Sequence, residues 1–247
     1  ETPDADFRTI VDSIHRTACE LGIAIVGGHT GYYPGFASPT IGGVTVFAIA
    51  DKSTIVTPAG ARPGNDVILT KGPAIETAAI LSVVRGKELA GKYPADLIEK
   101  AQALCRQMSV VRDAEIAKTA GGVTAMHDAT EGGVIGGLFE IADASGVGMR
   151  IDESRFIYPP EVRMVCEAFG LDPVAAIAEG SMLLTAEQGS SAAIIRALAR
   201  AGIAASVVGT VTGDCSERVM IRQDASIVPL AVPKQDPFWP VFFAGIS

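Results

Sequence analysis

The chain has 247 residues, of which 48% are hydrophobic and 19% are charged. This composition can fill a large core and excludes an intrinsically disordered protein. The formal net charge is −8, with Lys and Arg scattered along the chain, which excludes the basic surface of a nucleic-acid-binding protein. Because this negative field repels anions, a phosphorylated small molecule would need local donors or a metal ion, which points to magnesium.

Cysteine spacing and hydropathy bear on the cellular compartment. Cys19, Cys105, Cys166 and Cys215 are far apart and form no C-x-x-C pair, which favours a reducing, cytoplasmic location. No apolar run reaches the roughly 18 residues that a membrane span needs, so we expect no membrane association. The chain begins at Glu1 without Met and without a signal sequence. We therefore expect that it has been cut or trimmed from a longer chain.

The beginning of the chain predicts one helix and two strands. Apolar residues recur at helical spacing over residues 6–21, and Gly22 follows where a helix ends. Residues 23–26 predict a short buried strand that enters the turn Gly27-Gly28-His29-Thr30. Residues 44–50 are β-branched and apolar and predict a second strand.

A stretch rich in Pro and Gly, residues 57–64, places a domain boundary at about residue 57. Beyond it, helical and strand patterns alternate. The predicted strands are 66–70, 123–127, 148–151, 182–185, 206–211 and 219–221, and the predicted helices are 75–84, 95–108, 113–119, 132–144, 160–169 and 191–201. Such alternation predicts a layered α/β or α+β domain.

The turn at residues 128–133 separates a predicted strand from a predicted helix. Unpaired N–H groups and the helix dipole at such a junction favour an anion such as phosphate. Asp128 and Glu131 could offer carboxylate oxygens to magnesium, with the Thr130 hydroxyl or backbone on a phosphate. The structural alternative makes Asp128 or Thr130 an N-cap and Glu131 a favourable first-turn charge. Two glycines end the turn and favour a ligand, because they cost helix stability and indicate a close approach to the backbone.

One histidine, His29, lies in the turn at residues 27–30, and another, His127, precedes the turn at residues 128–133. At residues 27–30 the glycines would let a ligand reach the main chain, and His29 could donate to a phosphate, act as a base or be a solvent-exposed turn residue. His127 lies beside Asp128, but neighbours in a strand point to opposite faces. The two side chains therefore need not act together.

Several ordered stretches resemble one family of enzymes: AIR synthetase, selenophosphate synthetase, thiamine-monophosphate kinase and hydrogenase maturation protein E. Residues 26–30 resemble the turn that ends the first domain of that family, and residues 66–72 resemble the strand that opens its second. The stretches closest to the hydrogenase maturation member are 126–133, 144–148, 170–173 and 179–180. The resemblance covers nearly the whole chain and implies an AIR-synthetase-like fold.

The resemblance implies a cofactor and an assembly. In such proteins two subunits pair through their first domains, so it implies a homodimer, with ATP and Mg²⁺ between the first and second domains. The implied contacts are Gly27, Gly28, His29 and Thr130 for the nucleotide and Asp128 for magnesium. Glu131 is the second metal ligand that the spacing of the turn suggests. The implied chemistry is activation of an oxygen by phosphoryl transfer from ATP, where positioning and charge neutralisation supply most of the catalysis.

Two departures from the family pattern shape our expectations. The glycine-rich and acidic segments of the first domain do not precede Glu1, so we expect residues 1–57 to be the remnant of an N-terminal ATP-binding domain. Residues 58–247 are then an AIR-synthetase-like C-terminal domain, and this chain alone is expected to be inactive. The hydrogenase maturation member carries its substrate on a C-terminal cysteine, whereas residues 238–247 end without one. This disfavours that specific reaction, and we expect the aromatic tail to pack on a core or an interface.

Three functional hypotheses follow. The leading one is an ATP- and magnesium-dependent enzyme similar to the hydrogenase maturation branch, acting on a small-molecule or protein-bound substrate. The second is a small-metabolite kinase or synthetase of the thiamine-phosphate or purine type. The third is a non-catalytic dimeric binding or assembly module that kept the fold and lost the phosphate machinery.

Overall fold

The computed structural model describes residues 4–29 and 43–245. The chain divides into two compact units, a first unit, Glu1–Lys52, and a second unit, Ser53–Ser247. The assignment of residues 1–57 and 58–247 to two family domains remains a prediction. Within the described ranges, no helix is both long enough and apolar enough to cross a membrane.

The first unit contains helix α1, Asp4–Glu20, which confirms the predicted amphipathic helix. Gly22 ends it in the left-handed conformation, with φ of 66°. The Ile23 N–H donates to the Ala18 carbonyl at 2.8 Å and caps the C-terminal end of α1. The apolar stripe of α1 is not covered within this unit, since Ile14 is 52% exposed.

The two strands predicted in this unit are wrong. Residues 23–29 and 43–50 have no regular secondary structure, and their apolar side chains are open to solvent, with Val26 81% and Val44 85% exposed. A strand is stable only when its N–H and C=O groups pair with a neighbouring strand, and the sheet that the structure describes contains no strand from these segments. Thr30, which ends the predicted turn, lies outside the described residues.

The second unit is built on one seven-stranded sheet with the order β2-β4-β1-β5-β3-β6-β7. Its strands are β1 Asp66–Thr70, β2 Val123–Asp128, β3 Gly148–Asp152, β4 Met182–Ala186, β5 Ala205–Thr212, β6 Arg218–Ile221 and β7 Ile227–Pro229. Every neighbouring pair is antiparallel except β3 and β6. The first six confirm the predicted strands, and the short edge strand β7 was not predicted.

Helices pack on this sheet and beside it, which confirms the layered α/β class. They are α2 Ile75–Val84, α3 Gly86–Ala90, α4 Ala95–Ala103, α5 Val111–Ala120, α6 Gly133–Ser145, α7 Pro160–Phe169, α8 Ser191–Arg200 and α9 Phe238–Ala244. The predicted helices α2 and α7 are confirmed with their exact bounds. The helix predicted at 95–108 continues past α4 as a 3-10 helix, Leu104–Gln107. Neither α3 nor α9 was predicted.

Side chains of β1 alternate between two cores. Val67 and Leu69 pack with Leu138 of α6 on one face, and Ile68 packs with Leu198 of α8 on the other. Each such buried side chain contributes about 1.5–3 kcal/mol. A third core joins α2, α4, α7 and α9. These cores fix where α2 and α6 begin, and that is where the candidate site lies.

The aromatic tail packs on this third core, as expected. Phe238 is only 1% exposed, and its ring stacks on Phe242 with centroids 5.4 Å apart. Trp239 packs against the same cluster. Phe243, at the outer side of α9, remains 57% exposed.

Candidate functional site

Four segments of the chain meet where β2 ends and α6 begins: residues 70–76, 128–133, 174–181 and 233–236. The Ala129 N–H donates to the Ser181 carbonyl at 2.9 Å. The Ser181 hydroxyl donates to the Gly72 carbonyl at 2.5 Å. These bonds hold the predicted turn against the loop that precedes α2.

The loop before α2 is strained and anchored by a buried cation. Lys71 and Ala74 have positive φ values of 59° and 54°, which non-glycine residues rarely adopt. The Lys71 ammonium donates to Asp113 at 3.1 Å and to the Gln107 and Ser109 carbonyls at 3.0 and 3.1 Å. Burial lowers the pKa of Lys71, and Asp113 opposes that shift. The buried pair therefore fixes the turn that starts α2.

The start of α6 does not offer the open anion site that the sequence predicts. The Gly132 N–H donates to the buried carboxylate of Asp236 at 2.8 Å. The Ile135 N–H donates to the Val174 carbonyl at 3.0 Å. The carboxylate of Asp236, which is 104 residues from Gly132 in sequence, thus lies where we expected a phosphate.

The two glycines of the turn also serve internal packing. Gly132 and Gly133 have φ of 77° and 63°, a conformation that favours glycine. A Cβ on Gly133 would lie 2.6 Å from the carbonyl oxygens of Val174 and Ala176. At Gly133 the close approach that the glycine indicates is that of residues 174–176.

The structural alternative for this turn is also wrong in detail. The N-cap of α6 is Gly132, in the left-handed conformation, and no side chain caps the helix. Asp128 and Thr130 lie upstream of the cap, Asp128 as the last residue of β2. Neither side chain therefore caps the helix.

Asp128 belongs to a short chain of ionisable groups. His127 Nε2 lies 2.6 Å from Glu140 Oε2, and His127 Nδ1 lies 3.4 Å from Asp128 Oδ1. The hydrogen bond to Asp128 and that to Glu140 raise the pKa of His127. The same bond to His127 lowers the pKa of Asp128. Asp128 is thus a carboxylate at neutral pH, and its side chain is 53% exposed.

A second group of carboxylates surrounds the loops. Glu76, in the first turn of α2, accepts a hydrogen bond from the Glu179 N–H at 3.1 Å. Burial raises the pKa of Glu76 to about 7, and the charges of Glu179, Glu131 and Asp236 add to this effect. A carboxyl group that titrates near 7 can accept or donate a proton at neutral pH.

Sequence reasoning missed Glu76. A Glu in the first turn of a helix is an ordinary dipole partner, so nothing in its own spacing marks it. Its burial and its contact with the Glu179 N–H are features of the folded chain.

The remaining predicted site residues lie in the first unit. Gly27, Gly28 and His29 are exposed, and a Cβ added at either glycine would meet nothing within 4 Å. The backbone of Gly27 and Gly28 is therefore exposed. Asp128, Thr130 and Glu131 lie in the second unit, at the end of β2 and in the segment that connects it to α6.

The side chains that could coordinate a metal ion determine whether the chain can bind magnesium together with ATP. Among residues 4–29 and 43–245, no cluster of three or more His, Cys, Asp or Glu side chains could hold a metal ion. Mg²⁺ keeps several waters and commonly uses one or two carboxylates together with substrate phosphates. The ionised, half-exposed Asp128 meets that need.

Comparison with known proteins identifies the family. The family described as AIR synthase related protein, C-terminal domain, matches residues 62–222. The chain belongs to this AIR synthase-related family. Its relatives include the carbamoyl dehydratase HypE of Rhodobacter capsulatus, 31% identical over 246 residues that cover 96% of this chain and 68% of the relative. The HypE of Cupriavidus necator is 30% identical over 201 residues, 79% of this chain and 54% of that protein.

Solved structures show the same fold. The HypE of E. coli, a hydrogenase maturation protein, superposes with a TM-score of 0.74 at 23% identity, over 95% of this chain and 70% of that one. A HypE in complex with ATP superposes with a TM-score of 0.57 at 22% identity, over 74% of this chain and 55% of that one. The chain spans 54% and 59% of the first two curated relatives, so it corresponds to little more than half of their length.

Proposed function

We propose that the complete protein is an ATP- and magnesium-dependent enzyme of the AIR synthase-related family. Its reaction is phosphoryl transfer from ATP that activates an oxygen of a small-molecule or protein-bound substrate. Sequence likeness to HypE over 96% of the chain supports this proposal, as does the ATP bound to a HypE of the same fold. The observation that carries it is the ionised Asp128, open at the end of β2 within the family's turn.

The proposal assigns roles to the residues of both units. Asp128, with Glu131 beside it, binds the magnesium that accompanies the nucleotide. Thr130 in the same turn contacts a phosphate, and the open backbone of Gly27, Gly28 and the side chain of His29 contact the nucleotide. In this proposal residues 1–57 belong to the N-terminal ATP-binding domain, and the complete protein is a homodimer.

Local charge favours a metal-bound nucleotide. Glu131, Glu179 and Asp236 lie close enough to Glu76 for their charges to raise its pKa, and a group of carboxylates would repel a bare triphosphate. Magnesium, when bound, neutralises charge on the phosphate oxygens. Asp128 supplies the anionic ligand for it, while the bonds of Ala129 and Gly132 to Ser181 and Asp236 keep the turn in place.

The proposed reaction is tested by following ATP consumption in the complete protein with ³¹P NMR. Candidate acceptors are a peptide with an S-carbamoyl cysteine, thiamine monophosphate and a purine-precursor amide. We expect ATP to be consumed only with Mg²⁺ and only with one acceptor. ATP left intact with every acceptor would overturn the enzymatic hypothesis and favour the non-catalytic module.

A further inference from the structure

His127 links helix α6 to the end of strand β2. On β2 it pairs with Leu183 of β4, and its side chain is 20% exposed. Its Nε2 lies 2.6 Å from Oε2 of Glu140 on α6. This is a short, charge-assisted contact between two elements that the sheet and its helix layer hold in place.

The other ring nitrogen faces Asp128. Nδ1 of His127 lies 3.4 Å from Asp128 Oδ1. The imidazole ring therefore lies between two carboxylates, that of Glu140 on α6 and that of Asp128 at the end of β2.

We propose that His127 and Glu140 are positioning residues that fix the direction of the Asp128 carboxylate for the metal–nucleotide complex. The proposal rests on the metal-binding role that the proposed function gives to Asp128. Asp128 is the last residue of β2 and is 53% exposed, so without a partner its side chain would populate several rotamers. Partners that orient a metal ligand raise metal affinity, and their loss typically costs 10–100-fold.

An ordinary surface ion pair would behave differently. Exposed pairs contribute about 0–1 kcal/mol to folding and do nothing to a ligand. A positioning role predicts a loss confined to metal-dependent binding, whereas a role in folding alone would weaken nucleotide binding with and without metal. The two roles are therefore separable by measurement.

The test uses the complete protein with ATP and with Mn²⁺ as a spectroscopic probe for Mg²⁺. Electron paramagnetic resonance gives the Mn²⁺ affinity in the presence of ATP, and calorimetry gives ATP affinity without metal. We expect Glu140→Gln and His127→Leu each to weaken Mn²⁺ binding by about tenfold, and His127→Gln, which keeps a donor, to weaken it less. The double variant Glu140→Gln/His127→Leu should be no weaker than His127→Leu alone, because the two residues act as one unit.

Matched controls separate the possible failures. Glu115→Gln removes an exposed helical carboxylate from α5 and should leave Mn²⁺ binding unchanged. If Asp128→Asn leaves Mn²⁺ binding intact, the metal role of Asp128 fails. If Asp128→Asn weakens Mn²⁺ binding but Glu140→Gln and His127→Leu bind Mn²⁺ within twofold of wild type, the positioning role is overturned. Variants that weaken ATP binding equally with and without metal would also overturn it.

Discussion

Removal of the Asp236 carboxylate should strongly destabilise the second unit. This side chain accepts backbone hydrogen bonds from Gly132 at 2.8 Å, from Phe238 at 2.9 Å and from Ile177 at 3.3 Å. It is 8% exposed, so water cannot readily replace it. Asp236→Ala leaves these donors buried without an acceptor. One carboxylate thus ties together the start of α6, the loop at 174–181 and the start of α9.

The expected loss follows from the number of well-formed bonds. A buried donor left unsatisfied costs about 1–3 kcal/mol. Two short bonds and one longer one give an expected loss of about 4 kcal/mol in the free energy of unfolding. Asp236→Asn keeps one acceptor oxygen, and we expect it to lose about half as much.

Urea denaturation followed by circular dichroism measures this loss. The control is Asp224→Ala, which removes an exposed carboxylate that bonds the Ser226 N–H at 2.9 Å and the Ser226 hydroxyl at 2.6 Å. We expect it to cost less than about 1 kcal/mol. If Asp236→Ala loses no more than this control, Asp236 does not hold the three segments together.

Three other predictions compare a variant with a matched variant of the same residue type, or compare stability at different pH values. Gly133→Ala should destabilise the fold by at least about 2 kcal/mol more than Gly146→Ala. Both glycines have a positive φ, but only at Gly133 would the added Cβ clash with backbone oxygens. Equal midpoints of urea denaturation for the two variants would refute this. Lys71→Met should lower the free energy of unfolding by about 3–5 kcal/mol, since it leaves the buried carboxylate of Asp113 without its cation. Lys100→Met breaks a pair whose side chains are 63% and 70% exposed and should lower it by less than about 1 kcal/mol. Similar losses for the two variants in urea denaturation would contradict this. The carboxyl of Glu76 has its pKa raised from 4.5 to about 7 in the fold, so its contribution to stability is complete below pH 4.5 and is lost as the pH rises through about 7. Glu76→Gln should therefore gain stability relative to wild type over that interval, and parallel pH profiles would contradict the assignment.

Elements with clear local signals could be predicted from the sequence. The bounds of α2 and α7 were exact because Pro73 and Pro160 mark their starts and Gly170 marks the end of α7. Strand β1 combines β-branched residues with a Gly-containing turn on each side. Such signals act over a few residues, so no distant contact was needed to predict these elements.

Features that depend on distant residues could not be predicted in this way. Residues 23–26 and 44–50 have strand-like composition, but pairing decides whether a strand forms, and composition does not reveal the partner. The glycines of the 128–133 turn indicated a close approach, yet whether a ligand or residues 174–176 approaches is a property of the fold. The same holds for Asp236, whose role depends on a contact that spans 104 residues.

The candidate site was predicted in part. The turn at Asp128, Thr130 and Glu131 stands out in the sequence, and in the structure it connects β2 to α6. Their roles with nucleotide and metal remain predictions. Glu76 and Glu140 were not predicted, because their importance lies in distances to other groups: 3.1 Å to the Glu179 N–H and 2.6 Å to His127.

The most direct test of the proposed function is ATP binding by the complete protein, measured by calorimetry with and without Mg²⁺. We predict that wild type binds ATP weakly without Mg²⁺ and tightly when Mg²⁺ is present. Asp128→Ala should lose this binding with its fold unchanged, while Asp96→Ala, which removes an exposed carboxylate on α4, should retain it. Mg²⁺-dependent binding that Asp128→Ala leaves unaltered would contradict the role of Asp128, and no ATP binding by wild type would contradict the proposed function.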